Sequence, residues 1–358
     1  MAQQLDQYRL LGRSGLRVSP LSLGTMTFGV PTDSWGTSDD EARAQLDLYM
    51  SLGGNFVDTA NFYGGMGGSE RLLGKLIEGR RQRLVISTKY SITMSPGDPN
   101  ASGNHRKNMM QAVEDSLRRL NTDYIDLYYL HVWDSRTPVD EIMRAFDDLV
   151  SAGKILYVGI SDTPAWQISR LQAIAELRAY APLVALQIPY SLNERTVERE
   201  YMPMAQEMGL GVLPWSPLGG GVLTGKYSRD DLHREVATEM GGLTSRKAQN
   251  LATGRLTEKS IDIADVVVEI ASELEKTPAQ VALAWTLRNE AVVSPLMGAR
   301  TLAQLEDNIG ALSVDFSQEQ LDRLDQVSAV EPCFPHYMIE GDFASGLMGG
   351  VHVEKRRR

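Results

Sequence analysis

Eight short runs rich in β-branched or aromatic residues alternate with longer stretches of helical period, and this alternation narrows the possible folds more than any other feature of the chain. The runs are Leu21–Gly24, Asn55–Asp58, Leu84–Lys89, Ile125–Leu130, Ile155–Ile160, Val184–Gln187, Gly211–Trp215 and Val292–Leu296. Between them lie patterns such as Met109, Met110, Val113, Leu117 and Leu120, with apolar residues three and four apart on one helical face. A helix after each strand forces parallel pairing through right-handed crossovers. Eight such units predict an α/β fold in which a (β/α)8 TIM barrel closes on itself, in preference to an open sheet.

Punctuation supports that reading. Ser38 to Glu41 has capping-box spacing, and Thr277-Pro278 places a cap and a first-turn proline before the next helix. Ahead of the first strand, Tyr8–Leu11 and Leu16–Ser19 flank Gly12-Arg13-Ser14-Gly15 and predict a hairpin at the barrel bottom. No Pro/Gly/Ser-rich linker divides the chain, so residues 1–358 are expected to form a single domain. Two stretches exceed ordinary connections: Trp215 to Val292, with a polar segment around Arg229–Arg255, and the end, Cys333–Arg358, which shows neither period.

Composition excludes several classes. A net charge of −10 argues against nucleic acid or an anionic membrane surface as a partner. The basic end Lys355–Arg358 is read as a solvated tail. One cysteine, Cys333, leaves no disulfide framework or cysteine-built metal site, and no metal is expected. With no apolar run of membrane-spanning length and no secretory pattern at the start, a cytoplasmic protein is expected.

In a barrel of this kind chemistry gathers at the C-terminal ends of the strands. The second strand ends in Asp58, with Tyr63 in the following loop; the third ends in Lys89; His131 follows the fourth. A tyrosine hydroxyl titrates near 10, too high for an efficient acid at neutral pH. A buried ammonium beside it is expected to lower that value, and the ammonium needs a counter-ion such as Asp58. Asp58, Tyr63, Lys89 and His131 together suit carbonyl reduction, where a developing alkoxide must be protonated.

The segments GNFVDTANFYGGMGGSERLLG (54–74), STKY (87–90), DYIDLYYLH (123–131), GKILYVGISD (153–162), WSPLGGGVLTGKY (215–227) and GARTLAQLEDNIGAL (298–312) resemble the aldo-keto reductases. The likeness runs from roughly residue 8 to 330 and is strongest to the aryl-alcohol-dehydrogenase-like and potassium-channel β-subunit-like branches. It implies reduction of an aldehyde or ketone, or oxidation of an alcohol, with NADPH/NADP+ as cofactor. Tyr63 would then be the proton donor, Lys89 and Asp58 would tune it, and His131 would line the carbonyl pocket.

The usual dinucleotide fingerprint is missing. Gly64–Gly68 is followed by Ser69-Glu70, so the last glycine of G-x-G-x-x-G fails; GGVLTGKY (220–227) has Tyr227 where a phosphate-binding P-loop needs Ser or Thr. The resemblance instead implies cofactor contacts from Gly24, Thr25, Met26, Asp58, Ser161, Asp162 and Gln187. It adds Trp215, Ser216, Pro217, Leu218, Gly220 and Lys226 after the seventh strand, and Gly298, Arg300, Gln304, Asp307 and Asn308 after the eighth. Arg300, near a helix N-terminus, suits an adenosine 2′-phosphate. Aromatic residues near the mouth, namely Phe28, Trp35, Tyr90 and Trp133 with Tyr63 and His131, are candidates for the substrate pocket; Phe334 and Tyr337 are further ones from the tail. Three rival readings are an NADPH-binding regulatory subunit acting through a protein partner, a lyase using Lys89 as a Schiff base, and a metal hydrolase, for which no histidine pair is spaced.

Overall fold

The structure, a computed structural model, describes residues 5–31, 35–233, 245–339, 346–347 and 349–351. Phe343, the basic end Lys355–Arg358 and part of the polar segment (234–244) lie outside the described residues. The hairpin is formed by β1 (Arg9–Leu10) and β2 (Arg17–Val18), paired antiparallel. The barrel follows: β3 (Ser22–Gly24), β4 (Phe56–Asp58), β5 (Val85–Tyr90), β6 (Ile125–Leu130), β7 (Ile155–Ser161), β8 (Leu183–Pro189), β9 (Gly211–Trp215) and β10 (Leu296–Gly298). These eight pair in parallel in the order β10-β3-β4-β5-β6-β7-β8-β9. A parallel bridge between Val212 and Val292 links the two ends.

The eighth strand starts later than its apolar run suggested. Val292 contributes only that bridge, and the ladder with β3 begins at Leu296. Pro295 separates the two, since it has no N–H to donate to a neighbouring strand. The hairpin lies at the opposite end of the barrel from the strand tips: Arg13 N–H donates to Gly209 O at 2.8 Å, just ahead of β9. Leu11 and Val18 from the hairpin pack with Phe56, Val85, Leu127 and Leu213 inside the barrel.

Amphipathic helices cover the outside. Helix Val139–Ser151 buries Val139, Ile142, Met143, Phe146 and Leu149, the three-and-four spacing of one face. Thr277 caps its helix with Pro278 in the first turn, as expected, and with Gln280 it also completes a reciprocal capping box. The box expected at Ser38 is only half made. Ser38 accepts from Glu41 N–H at 3.2 Å, but the Glu41 carboxylate turns instead to the backbone N–H of Leu302, tying the first helix to the segment after β10. In the tail, His336–Ile339 forms one helical turn where no period was legible. No helix among the described residues is long and apolar enough to cross a membrane.

Candidate active site

Parallel register sets the site. Gly24, Asp58 and Ser87 are neighbours across β3, β4 and β5, and Lys89 stands opposite Tyr129 on β6. Side chains two apart on a strand share a face, so Ser87 and Lys89 both reach Asp58. Lys89 Nζ donates to Asp58 Oδ1 at 2.6 Å and to Thr59 O at 2.8 Å. Ser87 Oγ donates to Asp58 Oδ2 at 2.7 Å, and Gln187 Nε2 reaches the same oxygen at 3.0 Å from β8. Below, Gly159 lets the Tyr129 ring lie flat, since a Cβ there would come within 2.3 Å of it.

Lys89 is wholly buried, with Nζ 5.0 Å from the Tyr63 ring centre and 5.9 Å from that of Tyr129. Burial alone would depress its ammonium, but Asp58 and Tyr63 more than offset this and hold its pKa above the ordinary lysine value. Tyr63 and His131 meet edge to face, ring centres 5.8 Å apart. Burial, reinforced by the positive charge of the adjacent Lys89, pushes the His131 pKa down to about 3, so the imidazole is neutral. Its Nδ1 is buried with no hydrogen-bond partner among the described residues.

Tyr63 departs from expectation in one respect. Lys89 does draw its pKa down, but burial outweighs that pull and Asp58 reinforces burial, so the phenol titrates above its usual value. Tyr63 is therefore a protonated phenol at neutral pH, and Lys89 limits the rise rather than reversing it.

A second region lies along the loop after β9. Ser216, Gly219, Gly220 and Gly221 all have positive φ, between 53° and 86°. A Cβ on Gly220 would lie 2.3 Å from Asn250 Oδ1, so the loop's close approach to helix Arg246–Ala252 requires glycine. Four cations surround this loop. Lys226 is pushed down by burial and then by Arg246 and Arg300; Arg246 is pushed down by burial, Arg255 and Arg300. Among the described residues no carboxylate pairs with Lys226 or Arg246, whereas Arg255 is attracted by Asp162 and Glu194.

Residues 20–329 match the aldo/keto reductase family. The chain belongs to that family. Among its relatives, an uncharacterized oxidoreductase of Bacillus subtilis, YrpG, is 39 % identical, over 90 % of this chain and 95 % of its own. The norsolorinic acid reductase stcV of Emericella nidulans is 37 % identical, over 92 % and 84 %. An NADP(+) aryl-alcohol dehydrogenase of Phanerodontia chrysosporium is 33 % identical, over 95 % and 90 %. This aldo/keto reductase is thus an oxidoreductase by family.

Within the reductase, the structure brings Asp58, Tyr63, Lys89 and His131 together at one mouth, as the strand-end positions required. Gly24 and Met26 are half-buried at the tip of β3, whereas Thr25 is sealed against Asp58 O and Ser69 Oγ. Ser161 is buried, and Asp162 is exposed at the rim and accepts from Trp215 Nε1 at 3.0 Å. Pro217 is buried, with Ser216 and Leu218 half-exposed beside it. Gln187, expected at a carboxamide, spends its amide N–H on Asp58.

Corrections fall at the periphery. Asp307 does not extend outward: its carboxylate accepts from Thr277 Oγ1 and Gln280 Nε2, each at 3.0 Å, and so completes a helix cap. Gln304 accepts the Arg300 backbone N–H at 2.9 Å, while the Arg300 residue is exposed beside exposed Gly298. Asn308 is nearly enclosed. Phe28 and Tyr90 are fully buried core residues, not pocket walls; Tyr90 stacks on Tyr128 at 5.4 Å and donates to Asn104 O at 3.1 Å.

Trp133, by contrast, lines a cavity of about 700 Å³ between the loops after β5 and β6, with Ser91, His105 and Asp134. Trp35 is half-buried under the Arg246 guanidinium, 5.4 Å from its ring centre. Phe334 and Tyr337 are exposed and pair with each other. Sequence reading missed Ser87, Thr59, Arg246 and Arg255. Ser87 carried a signal, two residues before Lys89 on one strand; the two arginines lie in the segment that the sequence marks only as polar. Among the described residues no group of three or more His, Cys, Asp or Glu could hold a metal ion.

Proposed function

We propose that the protein is an NADP-dependent carbonyl reductase that converts an aldehyde or ketone to an alcohol, with Tyr63 as the proton donor. The observation that carries this reading is the buried Asp58–Lys89 pair placed under the Tyr63 ring, with a neutral His131 against its edge. A substrate carbonyl entering the mouth meets the Tyr63 hydroxyl and the His131 ring, both suited to hydrogen-bond its oxygen. As negative charge develops there, the fixed ammonium of Lys89 stabilises the phenolate left when Tyr63 gives up its proton. Asp58, held by Ser87 and Gln187, keeps that ammonium in place.

The cofactor fits the second region. Lys226, Arg246 and Arg300 pair with no carboxylate among the described residues, and they lie beside a glycine loop that side chains would fill. Lys226 and Arg246 suit the pyrophosphate, and Arg300 an adenosine 2′-phosphate. NADPH bound there would supply the hydride. Trp215 and Asp162 at the rim would border its nicotinamide end.

A Schiff-base role for Lys89 is disfavoured, because its raised pKa keeps the amine protonated and non-nucleophilic. A purely regulatory role would not need the four groups to be assembled. Oxidation of NADPH, followed by its absorbance with a panel of aromatic and aliphatic aldehydes, tests the proposal. Saturable turnover with at least one carbonyl is expected; tight NADPH binding without turnover of any would favour the regulatory alternative.

A further inference from the structure

We propose that Asp162 biases the protein toward the oxidised form of its nicotinamide cofactor by fixing a carboxylate charge beside the ring. The inference rests on the cofactor reading above and concerns which redox state the site holds more tightly.

Asp162 follows β7 at the mouth and has φ +32°, a left-handed conformation that Asp and Asn adopt more readily than other side-chain-bearing residues. Its backbone oxygen accepts from Trp133 N–H at 3.2 Å, and its Oδ1 accepts from Trp215 Nε1 at 3.0 Å. The Asp162 backbone is thereby tied to the loop after β6, and its carboxylate to the end of β9. Its charge is felt at Tyr63, Lys89 and Arg255. A hydride donor must come within about 3–3.5 Å of a carbonyl carbon whose oxygen rests at Tyr63. A nicotinamide ring that satisfies this requirement lies in the same field that reaches Tyr63 and Lys89.

The two redox states differ in charge at that ring. Dihydronicotinamide is neutral, whereas the oxidised ring carries one positive charge, so a fixed carboxylate stabilises only the second. Partial enclosure raises the Asp162 pKa, while the Trp215 indole N–H and the Lys89 ammonium favour its ionised form. Other charges nearby offset the effect only in part. Lys89 is neutralised by Asp58 at 2.6 Å. Arg255, 5.2 Å from the centre of the Trp215 ring, is attracted by both Asp162 and Glu194. All of these remain when Asp162 alone is neutralised, so the difference isolates its contribution. The consequence for turnover is a cofactor equilibrium tilted toward NADP+ on the enzyme, which favours alcohol formation and slows release of the oxidised cofactor.

Asp162→Asn tests this, because it keeps the left-handed preference and an oxygen for the indole N–H while removing the charge. Dissociation constants for NADP+ and NADPH are measured by titration calorimetry on wild type and variant in one buffer. The ratio Kd(NADP+)/Kd(NADPH) is expected to rise by about 5- to 50-fold, chiefly through weaker NADP+ binding. Asp162→Ser, which removes the charge with a different side chain, should move the ratio the same way. If both cofactor forms bind and the ratio is unchanged in both variants, the inference is wrong while the proposed function stands. If neither form binds the wild-type protein, both fall.

Discussion

Lys89 Nζ stands 2.6 Å from Asp58 Oδ1, with both side chains withdrawn from water at the mouth of the barrel. Adjacent parallel strands supply the two residues, and Ser87 and Gln187 satisfy the second carboxylate oxygen. A buried ion pair without such extra hydrogen bonds would struggle to repay its desolvation. Here the surrounding donors hold both charges in place beneath Tyr63, at the point where the proposed chemistry needs a fixed positive charge.

Removing one partner should therefore be costly twice. Lys89→Met is expected to abolish carbonyl reduction across the pH range and to lower stability by about 3–5 kcal/mol, because Asp58 is left charged and unpaired. Steady-state assays and urea unfolding measure the two effects. Retention of full activity would show that the ammonium has no part in the chemistry.

Tyr63→Phe keeps the ring that packs against His131 and loses only the hydroxyl. Turnover in reduction should fall by about 10²- to 10⁴-fold with NADPH affinity unchanged. Because the Tyr63 pKa lies above its usual value, the donor form persists at neutral and mildly alkaline pH. Reduction by wild type should accordingly be flat between about pH 6 and 9, and alcohol oxidation, which needs the phenolate, should climb over the same range.

His131 makes stability depend on pH. Its folded pKa, about 3, lies below the ordinary value of 6.5, so the unfolded chain binds the extra proton in that window. Stability is fully present above pH 6.5 and is lost as pH falls, by up to about 1.4 kcal/mol per unit from this group. In His131→Gln that contribution should vanish. Urea unfolding of both proteins at several pH values between 5 and 7.5 compares the slopes, and identical slopes would contradict the burial of a neutral imidazole.

We propose that cofactor choice rests on Arg300. A charge-assisted hydrogen bond of this type contributes about 1.5–3 kcal/mol, or about 10- to 150-fold in affinity. Arg300→Ala should weaken NADPH by that factor and leave NADH almost untouched, since NADH lacks the 2′-phosphate. Fluorescence titration of both cofactors reads this directly. Equal weakening of both would move Arg300 to the pyrophosphate, and no weakening would transfer the role to Lys226 or Arg246.

The βα alternation determined the barrel, and strand ends determined where Asp58, Tyr63, Lys89 and His131 emerge, because strand period and parallel crossover are local consequences of sequence. What sequence could not decide was what each side chain touches once packed. Asp307 and Glu41 were legible as carboxylates near helix starts, yet one completes the cap of a neighbouring helix and the other reaches across to Leu302. Phe28 and Tyr90 stood near the mouth in sequence, but their rings face a close-packed core. The net pKa of Tyr63 was likewise beyond sequence, since it balances burial against two opposed charges whose distances exist only in the folded chain. Arg246 and Arg255 come from a segment marked in sequence only as polar, and only the folded barrel places them beside the glycine loop and Trp215.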